Sequence, residues 1–133
     1  MNQAYIINGV RTGIGSFAGS LSHVRADDML ASVISQLLKI NPALDPVAIE
    51  DVIAGCANQA GEDNRNVARM ALLLAGLPVS VPGETINRLC ASGMSAIISA
   101  SRGIQTGCGD IYLAGGVENM TRAPWIMSKT TTP

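Results

Sequence analysis

Four short apolar runs, separated by segments of helical character, constrain the fold of this chain most strongly. The runs cover residues 4–7, 51–56, 84–87 and 110–116. Strands that are apolar on both faces occur mainly in parallel sheets, where crossover helices cover each side. The order β-α-β-α-β-α-β therefore predicts an α/β protein with a mainly parallel sheet. It stops at a strand, where a doubly wound domain would often continue, so we expect an incomplete domain.

The three intervening helices are predicted from their periodicity and their end signals. The first starts at Asp27, carries apolar pairs every four residues and stops before Pro42. The second covers residues 67–75 and is apolar almost all round, with Gly76 as its cap. The third covers residues 91–105 and is rich in Ala, Ser and Gly, which lets neighbouring backbone approach closely.

The 133 residues have the length of one domain, but their composition is unusual for an independent one. Only 14% are charged, against about a quarter in an ordinary soluble domain, while 47% are hydrophobic and 3% are aromatic. This excess of apolar surface favours either a large subunit interface or a piece of a bigger protein. We expect residues 1–129 to form one partial domain and residues 130–133 to form an unstructured tail.

Charge and cysteine content argue against several kinds of partner and address. The net charge of -1 gives no attraction for nucleic acid or an anionic membrane. No basic segment leads into an apolar run at the N-terminus, and no stretch reaches the roughly 18 apolar residues of a membrane span. Three scattered cysteines fit a reducing compartment. We expect a cytoplasmic protein.

Motifs for nucleotide binding and for serine hydrolysis are absent from the sequence. Residues 13–19 read G-x-G-x-x-x-G, one residue longer than the Rossmann fingerprint, and no Walker A sequence occurs. No G-x-S-x-G elbow is present, and the single histidine, His23, lies in a loop-like stretch where we expect it to be solvated. The cysteine spacing suits no zinc site, so we expect neither a metal nor a cofactor.

Cys90 is the candidate nucleophile of the chain. It follows the third apolar run and directly precedes the helix of small residues. A helix N-terminus presents unpaired N–H groups and a positive dipole end, which favour the reactive thiolate over the thiol. The alternative interpretation is a small buried hydrophobic residue, the commoner role of a free cysteine.

The other cysteines and the arginines have structural interpretations. Cys56, inside a predicted strand, is interpreted as buried filler, and Cys108, between two glycines, as a loop residue. Three arginines could bind an anion, but we expect ion pairs with nearby carboxylates instead. The expected pairs join Arg65, Arg69 and Arg88 to Glu62, Asp63 or Glu84.

Three blocks of this sequence resemble the thiolase family. Residues 87–94, Asn-Arg-Leu-Cys-Ala-Ser-Gly-Met, look like the segment that carries the acyl-enzyme cysteine in thiolases. Residues 114–124 look like the glycine-rich strand end of the family, and residues 7–12 look like its first strand. The resemblance runs to about residue 129. Within it, the loop 58–69 is most similar to the branch that acts on 3-oxoadipyl-CoA.

The resemblance implies a thiolase-like N-terminal half and an acyl transfer mechanism. The Cys90 thiolate would attack the 3-keto carbon of a 3-ketoacyl-CoA, acetyl-CoA would leave, and a second CoA would take the acyl group. The backbone N–H of Cys90 would serve as an oxyanion donor. The implied partners are acyl-CoA, CoA and further copies of the chain in a homodimer or homotetramer, with residues 64–66 used structurally.

Departures from the family pattern leave alternatives open. Ala91 and Ser95 differ from the glycine and the acidic residue expected in the 3-oxoadipyl-CoA branch, and Gly13 replaces the proline that often follows Arg-Thr. A general 3-ketoacyl-CoA or acetoacetyl-CoA thiolase is therefore a second interpretation. The Gly-His-Pro and Cys-x-Gly blocks that carry acid and base in thiolases are absent, so we expect this chain alone to be inactive. A non-catalytic interaction fragment and a ketosynthase-type condensing enzyme are the remaining alternatives.

Overall fold

The computed structural model describes residues 2–58 and 61–130. Within these ranges three helices alternate with three strands, and a short 3-10 helix (Pro46–Ala48) precedes the first strand. The elements in chain order are α1 (Ala26–Ile40), β1 (Asp51–Gly55), α2 (Val67–Leu74), β2 (Gly83–Ile86), α3 (Ser92–Thr106) and β3 (Tyr112–Gly116). The α/β class and these six elements are confirmed, with ends that differ from the sequence prediction by one or two residues.

The three strands form a parallel sheet in the order β2-β1-β3. In this sheet Val52 of β1 is paired with Gly83 of β2 and with Leu113 of β3. The central strand is buried from its second residue to its last, because it has a neighbour on each side and helices on each face. The prediction of a parallel sheet with crossover helices is therefore confirmed.

Alternate residues of β1 enter different cores, which gives the domain three layers. Val52 and Ala54 belong to the core formed with α1 and α2. Ile53 belongs to a smaller core with Ala96 and Ala100 of α3. Since successive side chains of a strand point to opposite faces, α3 lies on the face of the sheet opposite to α1 and α2.

The prediction of a first strand at residues 4–7 is wrong. These residues join no strand ladder within the described ranges, and Tyr5, Ile6 and Ile7 are 69%, 85% and 83% exposed. Apolar composition predicts a preference for burial, but a strand also needs a sheet edge that pairs with its backbone. The described order is therefore α-β-α-β-α-β. The predicted tail at 130–133 lies outside the described residues, apart from residue 130.

None of the helices in the described part of the chain has the length and apolar character that crossing a membrane requires.

Helix α3 begins in direct contact with the ends of β1 and β3, at two glycines. A Cβ atom added to Gly55 would overlap the backbone of Ser92 and Gly93. A Cβ atom on Gly116 would lie 2.9 Å from the carbonyl oxygen of Gly55 and 3.2 Å from the Cα of Gly93. A residue with a side chain does not fit such an approach of two backbones. The sheet therefore fixes the position of the α3 N-terminus.

We expect Gly55→Ala to lower the free energy of unfolding by about 1–3 kcal/mol. The new methyl group overlaps backbone atoms, which cannot move aside as a side chain does by changing its rotamer. Gly115→Ala is the matched control, since a Cβ there meets no atom within 4 Å. We expect the control to change stability by less than about 1 kcal/mol. Urea unfolding followed by circular dichroism measures both variants. Equal stability of the two would contradict the close contact at Gly55.

Candidate active site

The carboxyl ends of all three strands meet at one edge of the sheet, because the strands are parallel. β1 leads into Cys56, β2 into the turn that carries Cys90, and β3 into Glu118. Open α/β sheets bind their ligands at this edge. The candidate nucleophile therefore lies where the fold places functional groups.

The turn between β2 and α3 consists of residues 87–91 and is fastened at both ends. The Oδ1 atom of Asn87 accepts a hydrogen bond from the Leu89 N–H at 2.9 Å. The Ser92 hydroxyl donates to the Leu89 carbonyl at 2.6 Å and accepts from the Arg88 N–H at 2.8 Å. Leu89 has a φ of 50°, a left-handed conformation that is unfavourable for a leucine. These bonds hold the strained residue directly before Cys90.

Cys90 is exposed, two residues ahead of the first helical residue, Ser92. The predicted helix start at residue 91 is one residue early, because Ala91 is the N-cap. No side chain caps the helix. Among the described residues no acceptor bonds the backbone N–H of Cys90. Cys90 thus combines an accessible sulfur with an N–H group that is open to a ligand, and the interpretation as a buried hydrophobic residue is wrong.

Cys56 and Cys108 occupy structural positions that differ from that of Cys90. Cys56 follows β1, is 3% exposed and lies with its Sγ 3.6 Å from an oxygen of Glu118. Burial, and then the Glu118 carboxylate, raise the pKa of the Cys56 thiol to about 12. Cys108 is exposed just after α3, beside the Thr106 hydroxyl. Cys56 is buried and Cys108 lies in a loop, as predicted.

Glu118 is a residue of the site that sequence reasoning missed. Its two carboxylate oxygens accept hydrogen bonds from the backbone N–H groups of Ala57 and Asn58, both at 2.9 Å. An acidic residue two positions after the glycine-rich end of an apolar strand was the signal that could have identified it. The carboxylate joins the ends of β1 and β3 at the same edge as Cys90.

The predicted ion pairs of Arg65, Arg69 and Arg88 are wrong. Within the described residues the ion pairs join Arg25 to Asp27 and Asp28, and Arg122 to Glu62. The Arg69 guanidinium donates instead to the carbonyls of Val79 and Val81, because the loop after α2 presents these oxygens and no carboxylate. Sequence proximity does not specify which acceptor a long side chain reaches.

The two arginines that do form ion pairs lie before α1 and after β3. Arg25 lies next to Asp27, which is almost fully buried, and its guanidinium lowers the pKa of that carboxyl group. Arg122 likewise lowers the pKa of Glu62 and also donates to the carbonyl of His23. His23 is exposed, as predicted.

Residues of the loop after β1 have structural roles as well. Asn66 caps α2 by accepting from the Arg69 N–H at 3.1 Å, and its amide donates to the Gly83 carbonyl at 2.9 Å. This places the start of β2 against α2. In the described ranges no group of three or more His, Cys, Asp or Glu residues is placed to hold a metal ion.

We expect iodoacetamide at pH 8 to label Cys90 and Cys108 in the native protein while Cys56 stays unmodified. With a pKa of about 12, only about one Cys56 in 10⁴ is a thiolate at that pH, and burial blocks the reagent. Peptide mass spectrometry measures each site, and denaturation in guanidinium should expose Cys56 as the control. Native labelling of Cys56 as fast as that of Cys108 would contradict this environment.

Comparison with known proteins identifies the family. Residues 4–132 match the family described as Thiolase, N-terminal domain. The chain is 61% identical over 131 residues to a beta-ketoadipyl-CoA thiolase of Escherichia coli, which covers 98% of this chain and 33% of the relative. It is also 61% identical over 127 residues to a beta-ketoadipyl-CoA thiolase of Pseudomonas aeruginosa, covering 96% of this chain and 32% of that relative.

A solved structure agrees with this relationship. The crystal structure of the Bacillus anthracis acetyl-CoA acetyltransferase matches with a TM-score of 0.90 and 37% identity, covering 97% of this chain and 32% of that one. The chain thus spans about a third of the length of the relatives that it matches. On the family match, the sequence identity and the shared fold, the chain belongs to the thiolase family, and its residues 4–132 match the N-terminal domain of that family.

Proposed function

We propose that the protein carrying this chain is an acyl-CoA C-acyltransferase that cleaves 3-oxoadipyl-CoA with CoA, with Cys90 as the acyl carrier. The observation that carries the proposal is the exposed Cys90 at the carboxyl edge of the sheet, with its own N–H open beside the start of α3. An accessible thiol next to an unpaired N–H is what addition to a carbonyl requires, because negative charge develops on the carbonyl oxygen.

The chemistry runs in two half-reactions. The Cys90 thiolate adds to the C3 carbonyl carbon of the substrate, and the Cys90 N–H donates to the oxyanion. The C2–C3 bond then breaks, its electron pair forms the enolate of acetyl-CoA, and this enolate takes a proton. The acyl group stays on Cys90 as a thioester. The thiolate of free CoA adds to that thioester, and the Cys90 thiolate leaves.

The chain supplies the nucleophile but not the whole acid and base machinery. Thiolate formation and enolate protonation need groups that give and take a proton near neutral pH. His23 is exposed and its backbone belongs to the loop held by Arg122, so we assign it no catalytic role. We therefore propose that this chain is inactive alone and that the acid and base come from further residues of a thiolase. The reaction uses CoA as a substrate and needs no other cofactor.

The substrate is assigned from the relatives. A curated protein of Escherichia coli K12, 61% identical over 129 residues, is named 3-oxoadipyl-CoA/3-oxo-5,6-dehydrosuberyl-CoA thiolase. It covers 97% of this chain and 32% of its own length. On 3-oxoadipyl-CoA the bond cleavage described above gives acetyl-CoA and a succinyl group on Cys90. The relatives named for 3-oxoadipyl-CoA are more similar to this chain than the acetyl-CoA acetyltransferase at 37%, which supports this branch over the acetoacetyl-CoA alternative.

We also propose that the working protein is a homodimer or homotetramer in the cytoplasm. The outer edge of β2 pairs with no strand of the described sheet, and unpaired strand edges are sites of association. Met94, Ile97 and Ile98 on α3 are 63%, 39% and 37% exposed, so a large apolar surface next to Cys90 is available for further protein. Three unpaired cysteines suit a reducing compartment.

We expect Cys90→Ala to lower kcat for CoA-dependent cleavage of 3-oxoadipyl-CoA by at least about 10³-fold in the complete natural protein, because no other group can carry the acyl chain. Cys108→Ala removes an exposed thiol elsewhere and should keep kcat within about twofold. Loss of the 3-oxoacyl-CoA absorbance follows the reaction. A Cys90→Ala variant that keeps a tenth of the activity would contradict the proposal. If the unmodified protein cleaved acetoacetyl-CoA but not 3-oxoadipyl-CoA, the substrate assignment would be contradicted.

A further inference from the structure

We propose that Glu118 is a positioning residue for Cys90 and acts through the loop after β1 and the side chain of Asn87. This inference rests on the proposed function, because it assigns Glu118 a part in the reactivity of the nucleophile. The contacts form an unbroken series from the end of β3, across the end of β1, to the residue that precedes Cys90.

The first step of the series is the way in which the Glu118 carboxylate is bound. One oxygen accepts from the Ala57 N–H and the other from the Asn58 N–H, each at 2.9 Å. The buried Cys56 thiol faces the second oxygen at 3.6 Å. Hydrogen bonds to an ionised acceptor are stronger than neutral ones, and two consecutive N–H groups fix its position. The carboxylate therefore orders the first two residues that follow Cys56.

The second step passes through a single peptide group. The Asn58 N–H, which donates to Glu118, and the Ala57 carbonyl belong to the same peptide unit. That carbonyl accepts from the Nδ2 of Asn87 at 3.2 Å. A carboxylate at the N–H end increases the negative charge on the oxygen at the other end, which strengthens the second bond. Removing the carboxylate should therefore weaken the hold on Asn87 even if the loop keeps its place.

The third step ends at the nucleophile. The same Asn87 amide accepts from the Leu89 N–H at 2.9 Å through its other atom, Oδ1. Leu89 is strained, with φ at 50°, so it relaxes once this bond weakens. A change at Leu89 moves the peptide group that carries the Cys90 N–H, together with the sulfur. Displacements of about 1 Å in a reacting group lower rates by up to about 100-fold.

The backbone of the Glu118 segment is anchored independently of its side chain. The Val117 N–H donates to the Gly55 carbonyl at 3.0 Å, next to the contact between β1 and α3. Loss of the carboxylate thus leaves the strand end in place and removes only the link to Ala57 and Asn58. The effect of the Glu118 side chain on activity can therefore be measured without moving the strand end.

The experiment compares Glu118→Gln with the matched control Glu62→Gln in the complete natural protein. Glu62 lies near the same edge and loses its ion pair with Arg122 in the control, but its side chain does not bond Ala57, Asn58 or Asn87. We expect Glu118→Gln to lower kcat by about 10-fold to 100-fold with KM unchanged within about threefold. The control should keep kcat within about twofold. Thermal unfolding of both variants measures any general loss of stability.

A double-mutant cycle tests whether Glu118 acts through Asn87. Asn87→Ala leaves Glu118 intact and should lower kcat as Glu118→Gln does, and the double variant should be no more than about twofold slower than the slower single variant. Multiplicative losses, or equal losses in Glu118→Gln and Glu62→Gln, would overturn the inference. Retention of activity by Cys90→Ala would instead overturn the proposed function, so the two failures are distinguishable. If Glu118→Gln does not fold, Asn87→Ala alone decides, because normal kcat in that variant also overturns the inference.

Discussion

The contact between the N-terminus of α3 and the backbone of Gly55 is the constraint on which the rest of the site depends. It brings the first turn of the helix against the ends of β1 and β3. At the end of β3, Gly116 also lacks a side chain, and a Cβ atom there would lie 3.2 Å from the Cα of Gly93. Two backbones approach this closely only where neither carries a Cβ that intrudes. Because β2 and α3 are then both fixed, the five residues between them have little freedom. Cys90 is held at the edge of the sheet as a consequence.

Polar contacts refine a position that packing has already set. Ser92 and Asn87 bond both sides of Leu89 and keep it in a conformation that it would otherwise leave. Glu118 ties the loop that follows β1 to the end of β3 at the same edge. The Cys56 thiol lies beside Glu118, and its burial and that carboxylate raise its pKa to about 12. One edge of the sheet thus holds an exposed and a buried cysteine.

Much of the fold follows from the sequence, and the failures have physical causes. Continuous apolar runs at β1 and β3 and the apolar periodicity of α1 predicted buried parallel strands with crossover helices, since burial decides those elements. The run at residues 4–7 is also apolar, but a strand forms only beside a pairing partner, and the composition of the run does not specify one. The Arg69 guanidinium bonds backbone carbonyls, and no sequence pattern marks those acceptors.

The candidate site was predictable in part. The small residues after Cys90 indicated a helix close to other backbone, which the glycine contacts explain. The position of Glu118 after a glycine-rich strand end could have marked it as a candidate, but its two N–H partners lie about 60 residues earlier in the chain and no local pattern specifies them.

The most direct test of the central claim is to locate the acyl group during turnover. The complete natural protein would be mixed with 3-oxoadipyl-CoA in the absence of free CoA, quenched in acid and digested for peptide mass spectrometry. Our account predicts a succinyl thioester on the peptide that contains Cys90, and its disappearance when CoA is added. A succinyl adduct on Cys56 or Cys108 would contradict our account. Turnover with no acylated peptide at any time would contradict it as well.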